Sequence, residues 1–146
     1  MARGDIADNL GLLIEDFAED GTAAITKGDL CLLRAGKTKK IVALSDPGPY
    51  GVAVEDIAKS ATGRIALRGI IYMDEGNDAP LSKGDIVIPS GTTVGDIKTA
   101  TTTNFSSNYV ASQIKELRLI VGMALDALTK DGSGRILLGP QVGLSD

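Results

Sequence analysis

From Thr22 onward the apolar residues fall into short runs broken by glycine, proline, asparagine and aspartate, the pattern of short strands joined by turns. Ala23–Thr26 predicts a first strand, and Lys27-Gly28-Asp29 turns the chain into the apolar run Leu30-Cys31-Leu32-Leu33. Gly36 marks a turn before a strand over Lys40–Leu44, and Asp46-Pro47-Gly48-Pro49 is a strong loop signal. Tyr50–Val54 is again strand-like. In Arg64–Met73, Ile65 and Leu67 alternate with Ala66 and Arg68, as a half-exposed strand requires, and Gly69 marks a bulge or bend. Ile86–Pro89 and Arg135–Leu138 are the later strands, and Leu117–Leu125 is the strongest apolar run in the chain. Asp74–Pro80 and Asp131–Gly134 are turns, and Gln141–Asp146 reads as a fraying tail.

Residues 1–21 break this pattern. Ile6, Leu10, Leu13, Ile14 and Phe17 recur at helical steps, and Asp5 and Asp8 suit a helix N-terminus. Gly11 in the middle weakens a helix by about 1 kcal/mol relative to alanine. The segment therefore reads as a short helix or, better, as an N-terminal arm that orders against a partner. The division expected is an arm over 1–21 and a β domain over 22–146.

An internal repeat organises the β domain. Thr26-Lys27-Gly28-Asp29-Leu30-Cys31-Leu32 resembles Ser82-Lys83-Gly84-Asp85-Ile86-Val87-Ile88, with an offset of 56 positions between Gly28 and Gly84. Gly51-Val52-Ala53-Val54-Glu55 resembles Gly122-Met123-Ala124-Leu125-Asp126, and Gly63-Arg64-Ile65 resembles Gly134-Arg135-Ile136, both with an offset of 71. The order is kept and the two later offsets agree. The difference matches the polar stretch Thr99–Gln113, which reads as an insertion in the second half. The pseudo-repeats span about 22–73 and 80–139. Two such units sharing one core predict a mainly β fold, a small barrel or β-tulip-like sandwich with internal duplication.

Composition narrows the function. With 146 residues the chain can bury one real core, and a net charge of −4 argues against nucleic-acid binding, which needs a clustered excess of Lys and Arg. Lys37, Lys39 and Lys40 are the densest basic stretch and read as charged strand edges. No apolar run is long enough to span a bilayer, and Met1–Asp20 lacks the layout of a signal peptide, so synthesis in the cytoplasm is expected. The lone Cys31 sits among apolar neighbours and reads as buried and inert.

Catalytic chemistry finds no footing in the residues. Histidine is absent, which excludes Ser-His-Asp and Cys-His catalysis and histidine-based metal sites. No glycine-rich stretch has phosphate-loop spacing. The acidic pairs Glu15-Asp16, Glu19-Asp20, Glu55-Asp56 and Asp74-Glu75 read as solvated loops, and Asp74–Asp78 lacks the spacing and closing glutamate of a calcium loop. Arg3-Gly4-Asp5 spells a cell-adhesion tripeptide, a match too short to carry weight. No enzyme activity, cofactor or metal is expected.

The order Lys27–Leu33, Gly51–Asp56, Gly63–Leu67 and Gly69-Ile70 resembles the small capsid decoration proteins of tailed phages, which stabilise or cement the head. The resemblance covers about Thr22–Gly139. It implies a structural subunit that binds the outside of an expanded head, made in the host cytoplasm and carried on the virion surface. Its implied partners are the major capsid protein and itself, as a homotrimer, with neither nucleic acid nor membrane. Ile6, Leu10, Leu13, Ile14 and Phe17 would then meet the capsid or a neighbouring subunit, or else pack within the chain. Other classes stay open: a β-barrel accessory or carrier domain of an enzyme, for which Lys83 is the nearest candidate lysine, and a virion fibre or adhesion module.

Overall fold

The computed structural model describes residues 2–40, 48–100 and 119–139. Among them nine strands form in chain order: β1 (Ile6–Glu19), β2 (Leu30–Arg34), β3 (Lys37–Lys40), β4 (Tyr50–Ala53), β5 (Thr62–Asp74), β6 (Ile86–Pro89), β7 (Ile97–Thr99), β8 (Gly122–Ala124) and β9 (Ser133–Leu138). The described residues contain no helix. The fold is mainly β, as the short apolar runs require.

The strands lie in the order β1-β3-β2-β4-β5-β9-β8-β6-β7. Because β1 also pairs with β5, the first five close on themselves as a small barrel. The remaining four continue from β5 into a second ring, whose far end returns where Glu75 bridges Ile97 in parallel. Strand β5 is shared, its first part facing β4 and its last part facing β9.

The two rings repeat one hydrogen-bonding plan. Cys31 pairs with Gly51 and Leu30 with Val52 in one; Val87 pairs with Gly122 and Ile86 with Met123 in the other. Ala53 pairs with Ile65 and Val52 with Ala66, and their counterparts Ala124 and Met123 pair with Ile136 and Leu137. The isolated bridge Ile25–Ile57 is matched by Leu81–Leu128. In the Lys-Gly-Asp turns, the aspartate carboxylate accepts from the backbone N–H three residues back, Thr26 to Asp29 and Ser82 to Asp85, each at 2.8–2.9 Å. Every pair is related by the offsets visible in the sequence. The largest cluster of buried side chains runs through both rings, from Leu30 and Val52 to Ile71, Val87 and Ile136. The rings therefore share one core. Cys31 lies buried in a smaller cluster of the first ring.

Several expectations are corrected. Ile6–Glu19 is a strand of the sheet and not a helix. Alternation along a strand explains why: Leu12 and Ile14 pack on the large cluster, whereas Phe17 packs on the smaller one. The helical spacing from Ile14 to Phe17 thus joins two opposite faces, and pairing with β5 overrides it. Ala23–Thr26 forms only the bridge at Ile25, because Gly21 and the turn at Gly28 leave no room for a ladder. Strand β3 begins at Lys37 rather than Lys40 and lies between β1 and β2, with Thr38 buried. Residues 41–47, 101–118 and 140–146 lie outside the described residues, and with them most of the expected strand Lys40–Leu44, most of the insertion Thr99–Gln113, the start of the run Leu117–Leu125 and the tail Gln141–Asp146.

The acidic pairs hold a second correction. Glu19 and Glu75, 56 positions apart, are buried and not solvated. The Glu19 carboxylate accepts from the backbone N–H groups of Gly21, Thr22, Ala23 and Ser60 at 2.8–3.3 Å. Glu75 accepts from Asn77, Asp78, Ala79 and Asp131 at 2.6–2.9 Å. Each carboxylate thereby closes its own loop and ties it to a distant turn, where Ser60 or Asp131 holds a left-handed backbone (φ 64° and 61°). Burial works to raise the Glu19 pKa, but the N–H donors led by Ser60 and Gly21 outweigh it and hold it at about 2. A carboxyl whose folded pKa is depressed stabilises the fold above its unfolded pKa and loses that contribution as pH falls through the folded value. Stability should therefore fall with acid between about pH 4.5 and pH 2. In Glu19→Gln this slope should flatten, as measured by denaturant titration across that window.

Candidate functional site

The described surface carries an apolar depression. A cleft of about 450 Å³ opens where the two rings meet, and its walls come from equivalent positions in each. Pro49, Tyr50, Leu67 and Arg68 line it from the first ring. Ile120, Val121, Leu138 and Gly139, each 71 positions on, line it from the second. The duplication thus supplies four matched pairs of the cleft's lining, and Leu13, Leu30, Leu33, Gly48 and Gly51 complete it from the first ring alone.

Local structure explains its shape. Gly51 and Gly122 let β4 and β8 lie close against their neighbours. A Cβ at Gly122 would stand 1.9 Å from the Leu137 carbonyl oxygen, and one at Gly51 would stand 2.3 Å from Ile65 Cγ2. The Arg34 guanidinium donates to the carbonyl oxygens of Leu33 and Gly48 at 3.0 and 3.1 Å, tying the end of β2 to the loop that carries Pro49. Leu13 adds the outer lip. It is 41% exposed, one of the two large apolar side chains that stand out among the described residues, and it lines the cleft. Such a surface can bind by shape and apolar burial.

The five residues singled out on the N-terminal segment separate. Ile6 and Ile14 pack on the large core cluster and Phe17 on the smaller one. Leu13 alone of the described members faces out into the cleft. The Leu10 side chain lies outside the described residues. The cleft residues Leu33, Pro49, Tyr50 and Ile120 carried no separate signal in the sequence, because an exposed apolar residue in a strand looks the same as a core one. Applying the repeat offset to Pro49-Tyr50 would have paired it with Ile120-Val121 and exposed the symmetry.

Arg68 is the one charged residue among the described residues lining the cleft. Arg135 grips Asp126 with bonds of 2.7–3.2 Å, and this guanidinium, helped by the Arg135 backbone N–H, lowers the Asp126 pKa to about 2. Arg64 and Glu55 occupy the equivalent positions in the first ring, with a looser contact of 3.4 Å. Among the described residues no group of three or more Cys, Asp or Glu is placed to hold a metal ion. Lys83, the nearest candidate for a carrier lysine, is exposed on the second Lys-Gly-Asp turn.

The fold and the cleft define a small duplicated β-barrel subunit whose distinguishing surface is an apolar recess between its halves. The phage cement protein family model matches residues 14–139, and the chain belongs to that family, one of capsid-associated structural proteins of the virion. Among solved structures, the chain is similar to the head fiber gp8.5 N base of bacteriophage phi29. The TM-score is 0.59 at 11% identity, over 88% of this chain and 96% of that one. At that identity the likeness speaks for the fold. No curated protein matches.

Proposed function

We propose that this chain is a capsid decoration subunit that binds the outer face of an expanded phage head and stabilises it. The single observation that carries this reading is the family match across nearly the whole described fold. The major capsid protein is the partner, and the cleft with its lip at Leu13 is the contact surface. The subunit acts as a homotrimer, made in the host cytoplasm and assembled onto the head. A trimer that engages through all three protomers binds more tightly than one modest contact allows, because the first contact raises the effective concentration for the other two.

Placing a charge at the lip tests this without disturbing the core. In Leu13→Asp, binding to expanded, undecorated heads should weaken at least about tenfold, as for loss of an apolar anchor at an interface. Stability should stay within about 1 kcal/mol of the parent, since Leu13 is largely exposed. Unchanged binding at unchanged stability would remove the cleft from the contact. Light scattering of the purified chain should give the mass of a trimer; a monomer at working concentration would overturn that part of the proposal.

A further inference from the structure

The N-terminal tripeptide Arg3-Gly4-Asp5 is read by a built site, one residue at a time. The Arg3 guanidinium meets Asp29 at 2.8 Å, Asp96 at 3.0 Å and Asp74 at 3.4 Å, carboxylates from the first ring, the second ring and the end of β5. Asp29 and Asp96 are buried. Gly4 lies backbone to backbone against the first Lys-Gly-Asp turn. A Cβ there would stand 2.6 Å from the Gly28 nitrogen and 3.0 Å from the Ala53 carbonyl oxygen, and its φ of +77° also favours glycine. Asp5 accepts from Lys27 Nζ at 2.6 Å.

The backbone completes the site as a turn that leads into β1. The Gly4 N–H donates to the Tyr72 carbonyl oxygen at 2.6 Å, and the Tyr72 N–H donates back to the Asp5 carbonyl oxygen at 3.0 Å. Gly28 is shaped for this visitor, since a Cβ on it would meet three Arg3 atoms within 2.8 Å. Gly84, its counterpart in the second ring, has nothing within 4 Å. The turn alone does not demand the tight fit at Gly28; the N-terminal segment at Arg3 does.

The first part of β1 is also set apart from the rest. Asp8 pairs with Ile70 and Leu13 with Arg68, so residues 9–12 face Gly69 alone. This is a bulge of several residues, with Gly11 at φ +71° and open space around it. Residues 2–8 thus form a turn over Arg3-Gly4, closed by the Asp5 N–H on the Ala2 carbonyl oxygen at 3.1 Å, that runs into the first residues of β1; the unit is joined to the body through a bend and held by these polar, side-chain-specific contacts and by Ile6 on the large cluster. If it lifts away, β5 presents an open edge at Ile70–Tyr72, and open edges pair with other strands.

We propose that Lys27-Gly28-Asp29, Asp74, Asp96 and the β5 edge form a receptor site for an Arg-Gly-Asp turn and the short strand that follows it. The chain's own residues 2–8 fill it in cis, and the same segment of a second copy fills it in trans. Recognition needs all three residue types: the cation for the acid trio, a residue without Cβ over Gly28, and the acid for Lys27. A segment of another sequence meets a clash or an uncompensated charge. The tripeptide is thus engaged by its own fold.

The test uses the full chain carrying Gly4→Ala, with Arg3→Gln as a second variant that keeps the backbone unchanged. Amide hydrogen exchange at Tyr72 reports on the site, because its N–H is bonded to Asp5. Met73 is the internal control, since ladder bonds alternate and its amide faces β9. In both variants Tyr72 should exchange at least about tenfold faster, with Met73 unchanged. A synthetic peptide spanning residues 2–8, standing in for the strand of a second copy, should restore Tyr72 protection in a saturable way. The same peptide with alanine at the glycine position should not. Continued protection of Tyr72 in both variants, or no recovery with the native peptide, would overturn the proposal.

Discussion

Glu75→Ala is expected to destabilise the fold by about 4 kcal/mol, read as a drop in the chemical denaturation midpoint at unchanged slope. The carboxylate is fully buried and receives four backbone N–H groups at 2.6–2.9 Å. Bonds to a charged acceptor contribute about 1.5–3 kcal/mol each, and a donor left without a partner costs about 1–3 kcal/mol. The four do not add fully, because water can enter the space an alanine leaves and satisfy some donors. Three of the donors close the loop after β5, and the fourth, from Asp131, pins the turn before β9. Losing the carboxylate therefore loosens two connections at once. Glu75→Gln should fall between, because one oxygen still accepts while the new amide N–H₂ opposes two N–H donors. The melting temperature of the alanine variant should drop by about 12 °C on the usual scaling for a domain of this size.

Gly122→Ala should cost as much or more, about 4 kcal/mol upward, while Gly51→Ala at the equivalent position should cost about 1–3 kcal/mol. The two glycines occupy matching places in their rings, yet what crowds them differs. At Gly122 the new methyl would meet Leu137 oxygen at 1.9 Å, Leu137 carbonyl carbon at 2.9 Å and Leu138 Cα at 3.3 Å, all backbone. Relief requires β8 to part from β9, which breaks the pairing of Gly122 with Leu138 and of Met123 with Leu137. At Gly51 the nearest atom is the Ile65 Cγ2, a side-chain methyl, so relief asks the buried Ile65 side chain to shift rather than two strands to part, with Ala66 oxygen at 3.1 Å. Comparing the two variants by thermal melts and soluble yield separates backbone from side-chain crowding. Equal losses at the two positions would contradict this reading of the close strand approach.

Much of this architecture was legible in the residues because duplication writes itself twice. The offsets of 56 and 71 aligned Lys27-Gly28-Asp29 with Lys83-Gly84-Asp85 and Gly51 with Gly122, and the ladders pair at those spacings. The strands around Tyr50, Arg64, Ile86 and Arg135 fall where alternation and turn residues put them. The N-terminal segment misled because helical spacing and a bulged strand place the same apolar residues at Ile6, Leu13, Ile14 and Phe17. Only a partner strand decides between them, and that partner, β5, lies far away in the sequence. Glu19 and Glu75 were hidden for another reason. An acid beside another acid usually faces water, and nothing local reveals four backbone donors converging on one carboxylate. Their shared offset of 56 was the available signal. The apolar cleft was illegible from patterning alone, because burial in a core and exposure in a recess leave the same trace. Arg3-Gly4-Asp5 looked like a chance tripeptide until its three acid partners, drawn from positions 29, 74 and 96, came together around it.

The most direct test of the central claim is electron cryo-microscopy of expanded, undecorated heads incubated with the purified chain. The expected result is ordered density on the outer face at saturating occupancy, with Leu13 and the cleft turned toward the major capsid protein. Bare heads at saturating protein, or bound subunits with the cleft turned to solvent, would contradict the account.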